Sequence, residues 1–173
     1  MDKMNRKRLK FAAAILGIFI SSLVCHAQNS VMRPQKVRIA DVNARLFYDS
    51  NGQFSGDVFS GKVNLWNTPI EGSSREGSSG AMLVVVDIEA YGEGSEPRVR
   101  RVELTARYRI ENNSERGIPA FVKKVRLAYI RTSGHSYTGF WLDGTGCYPV
   151  DLKAKIVGQK AIIHKTINLR CGE

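Results

Sequence analysis

The chain alternates apolar and polar side chains without a break over residues 101–111, RVELTARYRIE. The apolar members are Val102, Leu104, Ala106, Tyr108 and Ile110. A repeat of two residues is that of a β-strand, because successive side chains of a strand point to opposite faces of the sheet. The segment therefore predicts an antiparallel strand with one face in a core and the other in water.

The same alternation recurs along the chain, whereas no stretch repeats apolar residues at helical spacing. Further strands are predicted over residues 36–48, 81–91, 124–131, 137–142, 151–156 and 161–169, with a short one around 62–66. Residues 81–91 open with AMLVVV, which is apolar on both faces and favours a central strand.

The strand at residues 124–131 has one apolar and one cationic row. The alternation is interpreted with Val125, Leu127 and Tyr129 in the core. Lys124 and Arg126 then point to water.

Turn-rich segments separate the strands, such as DSNG at residues 49–52 and DGTG at residues 143–146. About seven to eight short strands at this spacing predict an all-β chain. The expected fold is a single antiparallel β-sandwich domain over residues 36–173. Its layout resembles immunoglobulin-like or C2-like sandwiches in fold, which by itself implies no function.

The N-terminus has the three-part layout of a secretory signal peptide. Basic residues 1–10, MDKMNRKRLK, precede a 14-residue apolar run and then Cys25-His26-Ala27. The apolar run would extend only about 21 Å as a helix, too short for a hydrocarbon core of about 30 Å. We expect residues 1–27 to be a signal peptide, residues 28–35 a flexible lead, and the mature protein to be periplasmic or secreted, with no membrane span.

Lipidation at Cys25 is an alternative to cleavage after Ala27. Lipoprotein sites generally place a small residue before the cysteine, and Val24 stands there. Removing residues 1–27 leaves Cys147 and Cys171, and such a pair in an oxidising compartment predicts a disulfide. Closing a loop of about 25 residues stabilises a fold by roughly 3.5 kcal/mol in the chain-entropy model. Two buried free thiols are the other possibility.

The sequence contains no recognisable catalytic or metal-binding motif. G-x-S-x-G, C-x-x-C and H-E-x-x-H are all missing, and beyond residue 27 the only histidines are His135, in an expected turn, and His164. Asp87, Glu89 and Glu103 would lie close together if residues 81–91 and 100–110 formed a hairpin, and cross-strand ion pairs explain them better than catalysis. We expect a non-enzymatic protein with no cofactor and no metal.

The charge pattern is more informative than any motif. The chain has a net charge of +10, and residues 98–131 contain ten basic and three acidic residues. The predicted binding face consists of Arg101, Arg107, Arg109, Lys124 and Arg126. Arginine suits bidentate contact with carboxylate or phosphate, whereas the alternative is a solvated face that only keeps the protein soluble. The export signal and the lack of interleaved aromatics argue against nucleic acid.

Trp66 and Trp141 are candidate loop anchors for a partner. Alternatively, these aromatics plug the open end of the sandwich. The expected function is an exported cell-envelope binding protein, such as an inhibitor or immunity protein, whose acidic partner is a protein or an anionic envelope polymer. A structural or adhesive surface subunit that assembles through strand edges is the alternative, ahead of an envelope hydrolase. The oligomeric state is left open.

Overall fold

Antiparallel strands make up most of the chain described by the computed structural model, which comprises residues 36–65, 78–92, 98–110 and 120–171. The expected signal peptide, the flexible lead, Cys25 and Trp66 lie outside these described residues. The strands are β1 (Lys36–Tyr48), β2 (Gln53–Phe54), β3 (Ser79–Tyr91), β4 (Arg98–Tyr108), β5 (Phe121–Ile130), β6 (Gly134–Asp143), β7 (Pro149–Ile156) and β8 (Ile163–Asn168). No helix in these ranges is long and apolar enough to cross a membrane.

The strands form two four-stranded sheets, ordered β2-β1-β3-β6 and β5-β4-β7-β8. Alternate residues of each sheet point to one shared core, as the period of two predicts. Val84 and Phe140 are register partners on the inner face of the first sheet, and Leu104 and Ala154 are partners in the second. All four are buried. The all-β fold is therefore confirmed, and its architecture is sandwich-like.

Strands β3 and β4 lie in different sheets, so the supposed hairpin of residues 81–91 and 100–110 is wrong. β3 pairs with β1 and β6, whereas β4 pairs with β5 and β7. The central position of β3 explains its apolar start, because Leu83 and Val85 are half-buried even on its outer face.

Strand β5 is oriented opposite to the prediction, because its apolar row faces water. Val125, Leu127 and Tyr129 are exposed, and the interpretation that placed them in the core is wrong. Lys124 and Arg126 point instead toward β6 of the other sheet. Alternation identifies two faces of a strand but not which one is inside. β5 is an edge strand, and its inward row is buried only at its C-terminal end.

Cys147 and Cys171 form the expected disulfide, with their Cα atoms 5.1 Å apart. The bond joins the residues just before β7 to those just after β8. These two strands are neighbours in the second sheet, where Pro149 lies opposite Asn168. The last strand is therefore held covalently as well as by its hydrogen bonds.

A 3₁₀ turn at Val58–Ser60 and the short β2 replace the strand expected around residues 62–66, whose described part is irregular. Asp57 caps this turn, since its Oδ1 accepts from the amide of Phe59 at 3.3 Å. The same oxygen accepts from the amide of Ala44 on β1 at 3.1 Å. One carboxylate thus fixes the segment after β2 against the first sheet.

Candidate functional site

The outer face of β5 and its neighbour β4 carries a row of large exposed apolar side chains, which we call the apolar strip. Its members are Val99, Phe121, Val125, Leu127 and Tyr129, with exposed fractions between 48% and 70%. Val99 and Tyr129 are register partners, and Lys123 alone interrupts the row along β5. Single exposed apolar residues are common, but a contiguous row of this size is typical of an interaction surface.

Cations flank the apolar strip on the same outer face. We call this set the basic field: Arg101, Arg107, Arg109, Lys123, Lys153 and Lys155. Glu103 and Asp151 are the carboxylates of β4 and β7 on this face. With these residues, the face therefore carries six cations and two anions. Arg101 lies opposite Leu127 and Arg107 lies opposite Phe121, which places guanidinium groups directly beside apolar side chains.

Glu103 is held between two lysines from the strands on either side of it. Its Oε2 is 3.0 Å from Lys123 Nζ, and its Oε1 is 3.0 Å from Lys155 Nζ. The hydrogen bonds from Lys123 and then Lys155 lower the pKa of Glu103, and they outweigh the opposing effect of desolvation. Glu103 therefore stays ionised and spaces the two ammonium groups.

Arg109 is committed to an ion pair with Asp151. Arg109 Nε donates to Oδ2 at 2.8 Å and Nη2 donates to Oδ1 at 2.7 Å, while Thr166 Oγ1 also donates to Oδ1 at 2.7 Å. The hydrogen bond from Arg109 lowers the pKa of Asp151 to about 2. This bidentate pair orders the face but removes Arg109 from the free cations.

Arg101, Arg107 and Lys153 form no ion pair with any carboxylate in the described ranges. Each is exposed and belongs to the basic field. Among the described residues of the basic field, these three cations are the ones without a carboxylate partner.

The binding face expected from the sequence is only partly assembled. Arg101, Arg107 and Arg109 do share one face. Lys124 and Arg126 lie on the opposite face of β5, where Lys124 Nζ donates to the main-chain oxygen of Trp141 and Arg126 Nη1 to that of Gly139. Sequence reasoning missed Lys123, Lys153 and Lys155, because their alignment with β4 depends on the register of three strands.

Trp141 does not share a face with the basic field. It lies on the outer face of the first sheet, where its ring is 5.3 Å from that of Phe47 and 6.1 Å from that of Phe54. Its indole nitrogen donates to Asp143 at 2.7 Å. Trp141 therefore belongs to a separate aromatic cluster.

The carboxylates considered for catalysis are divided between the sheets and engaged in ion pairs. On the first sheet, Glu89 pairs with Arg38 at 2.7 Å and Asp87 lies 2.8 Å from His135 Nδ1. His135 lies in β6 rather than in a turn, and the hydrogen bond to Asp87 raises its pKa.

Across the described parts of the chain, no group of three or more histidine, cysteine, aspartate or glutamate side chains could hold a metal ion. The outer face of the second sheet places exposed apolar side chains beside exposed cations. No protein-family model, curated protein or solved structure matches this chain.

Proposed function

We propose that this is an exported, non-enzymatic interaction protein of the cell envelope that binds an acidic polypeptide. The observation that carries the proposal is the juxtaposition of the apolar strip and the basic field on one face. The strip runs for about 26 Å along β5, at about 3.3 Å per residue. Such a length suits a protein surface or an extended segment rather than a small molecule.

The apolar strip favours a polypeptide over an anionic envelope polymer. Burial of Leu127 and Tyr129 stabilises a complex only if the partner supplies apolar surface of its own. An exposed arginine–carboxylate contact is worth at most about 1 kcal/mol, so free cations such as Arg101 add specificity and faster association more than affinity. A partner with acidic and apolar side chains side by side satisfies both parts of the face.

The charge of β5 argues against self-assembly through this edge. Phe121–Ile130 contains Lys123, Lys124 and Arg126 and no acidic residue. Pairing with β5 of a second copy would bring like charges across the new ladder, which destabilises a sheet. An adhesive or structural subunit built by this contact is therefore the weaker alternative.

Export is proposed on two features of the chain. The basic, apolar and small-residue layout of residues 1–27 is that of a signal peptide, and the Cys147–Cys171 disulfide suits an oxidising compartment. We expect envelope material to begin at Gln28 on N-terminal sequencing. A lipid-modified Cys25 or an intact Met1 would contradict cleavage after Ala27.

An immunoglobulin-like subtype is proposed in preference to a C2-like one. Without the two-residue β2, the sheets are β1-β3-β6 and β5-β4-β7-β8. Strands A, B and E of immunoglobulin domains share one sheet and strands C, F and G the other, which is the partition of β1, β3, β6 and of β4, β7, β8. An experimental structure of residues 28–173 tests this assignment.

The binding test uses an immobilised synthetic peptide of alternating glutamate and leucine, with polyglutamate as the purely anionic probe. Reversal of Arg101 and Arg107 to glutamate should slow association and flatten its dependence on salt. Tyr129→Ala should speed dissociation of the glutamate–leucine peptide about tenfold, equivalent to about 1.4 kcal/mol.

Two matched controls accompany these variants. Lys36→Glu with Lys62→Glu makes the same charge change at exposed positions away from the basic field. Tyr91→Ala removes an exposed tyrosine from the other sheet. If the affinity changes neither with salt concentration nor in the arginine reversals, the basic field is excluded as the binding site. Equal affinity of the wild type for polyglutamate and for the glutamate–leucine peptide, with no effect of Tyr129→Ala on either, would instead identify a simple anionic polymer as the partner.

A further inference from the structure

The outer face of the first sheet contains a cavity of about 420 Å³, on the side of the molecule away from the apolar strip. Leu83 and Val85 form its apolar floor, and Phe54 and Tyr137 contribute aromatic walls. Its volume lies within the range of about 300–1,000 Å³ that is usual for small-ligand sites. The inference drawn from this cavity does not depend on the proposed polypeptide partner.

A glycine lies beside the apolar floor of this cavity. Gly139 on β6 lies opposite Val85, and on the outer row of the same strand it stands between Tyr137 and Trp141. A Cβ added at Gly139 would lie 3.2 Å from Leu83 Cδ1, so a side chain here would occupy the floor. A side chain at this position would therefore displace Leu83 and change the floor of the cavity.

The aromatic walls are exposed but held by neighbouring rings. Phe54 is 45% exposed, and its ring centroid is 5.3 Å from that of Phe47. Tyr137 is 66% exposed, and its ring stacks on His135 with centroids 6.4 Å apart and planes 18° apart. Rings that are already positioned lose little conformational entropy when a ligand packs on them.

The polar groups of the cavity are fixed in complementary roles. With its amide nitrogen turned toward the carboxylates, Asn43 donates to Asp57 Oδ2 at 3.0 Å and to Asp41 Oδ2 at 3.2 Å. Asp57 can accept hydrogen bonds from a ligand and Arg45 can only donate them, while Asn43, whose two amide hydrogens are engaged, offers its oxygen as an acceptor. Lys165 pairs with Asp41 at 2.6 Å, and among the lining residues Arg45 and Asp57 are the two charged groups, of opposite sign.

We infer that this cavity binds a neutral saccharide. Sugar hydroxyls both donate and accept, which matches Arg45, Asp57 and Asn43 together, whereas a purely anionic or cationic ligand would satisfy only part of the set. The C–H faces of a sugar ring are apolar and pack on aromatic rings such as Tyr137 and Phe54. Because the charges of Arg45 and Asp57 balance, an uncharged sugar is preferred to a uronate.

An array of immobilised neutral and uronate-containing glycans tests the inference, followed by calorimetric titration with the glycan that binds best. Wild-type protein should bind neutral glycans, and Tyr137→Ala should weaken that affinity tenfold or more. Gly139→Val should block the floor and abolish binding. Tyr91→Ala provides the matched control, since it removes an exposed tyrosine of the same sheet outside the cavity.

Tyr137→Ala keeps the test decisive even if Gly139→Val fails to fold, because Tyr137 is exposed and its removal leaves the core intact. Thermal unfolding of each variant checks the fold. Failure of the wild type to bind any glycan would overturn the inference, as would binding that Tyr137→Ala leaves unchanged. Selective binding of uronate glycans would overturn the preference for a neutral sugar. None of these outcomes bears on the polypeptide proposed for the other face.

Discussion

Arg126 on β5 donates from Nη1 to the main-chain oxygen of Gly139 on β6 at 2.5 Å, although the two strands belong to different sheets. Lys124 makes the same kind of contact with the main-chain oxygen of Trp141. Within the described ranges β6 pairs only with β3, so these oxygens lie on its free edge. Two cations of one edge strand thus occupy acceptors that a foreign strand would use.

Replacing both Lys124 and Arg126 with alanine should destabilise the protein by about 1–3 kcal/mol, because each contact is a charged hydrogen bond that is partly exposed to solvent. The uncovered edge of β6 should also promote self-association. Urea unfolding measures the first effect and sedimentation velocity over a concentration series the second.

The double variant Lys36→Ala with Lys62→Ala is the control, since it removes the same charge from exposed positions. Equal stability and an equal monomer fraction in the two double variants would show that the contacts to β6 do not protect its edge.

Cys147→Ser or Cys171→Ser should lower the free energy of unfolding by roughly 2–5 kcal/mol. The double variant should cost no more than either single one, since one bond is lost in all three. Intact mass of purified protein with and without reductant detects the bond directly. Two freely alkylated thiols in protein from an oxidising compartment would refute it.

The Arg109–Asp151 pair should make stability fall in acid. The folded-state pKa of Asp151, about 2, lies below its ordinary value of 3.8. The contribution of ionised Asp151 to folding stability is therefore complete above pH 3.8 and is lost as the pH falls toward 2. We expect a small effect, because water screens the exposed guanidinium of Arg109. In Arg109→Gln, carboxyl NMR titration should show the Asp151 pKa rising while that of Glu103 stays in place.

His135 should respond to alkaline rather than acidic conditions. Asp87 raises the pKa of His135 above its ordinary value of 6.5. The stabilisation is therefore complete below pH 6.5 and is lost as the pH rises through the raised folded-state value. Imidazole NMR titration should show a lower pKa for His135 in Asp87→Asn than in the wild type. Asp41→Asn removes a neighbouring carboxylate and should leave the His135 titration unchanged.

Inner strands with one apolar and one charged row could be predicted with their orientation. β4 is the clearest case, since Val102, Leu104 and Ala106 are buried as expected. β5 could be predicted as a strand but not oriented, because it lies at an edge where the opposite sheet covers little of its inward row. The two-residue β2 and the 3₁₀ turn after it have no periodicity from which they could be recognised.

The candidate surfaces depend on pairings that a single sequence does not reveal. Arg101 and Lys153 belong to one field only because β4 and β7 are neighbours, although the two residues are far apart in the chain. The cavity requires Phe54, Val85 and Tyr137 to meet across strands of the same sheet. Local alternation indicates which side chains share one face of a strand. The strand order decides which of these rows lie side by side to form a surface.

The strand order also governs when the chain can fold. β1 pairs with β3 at Asp41 and Asp87, and β3 in turn pairs with β6 at Asp87 and Tyr137. Loop closure over such sequence separations slows folding, because its entropy is lost before the contacts compensate for it. A chain truncated before Gly134 would lack β6, the edge strand that pairs with β3, and all of β7 and β8. Folding of the growing polypeptide should therefore wait until synthesis is nearly complete.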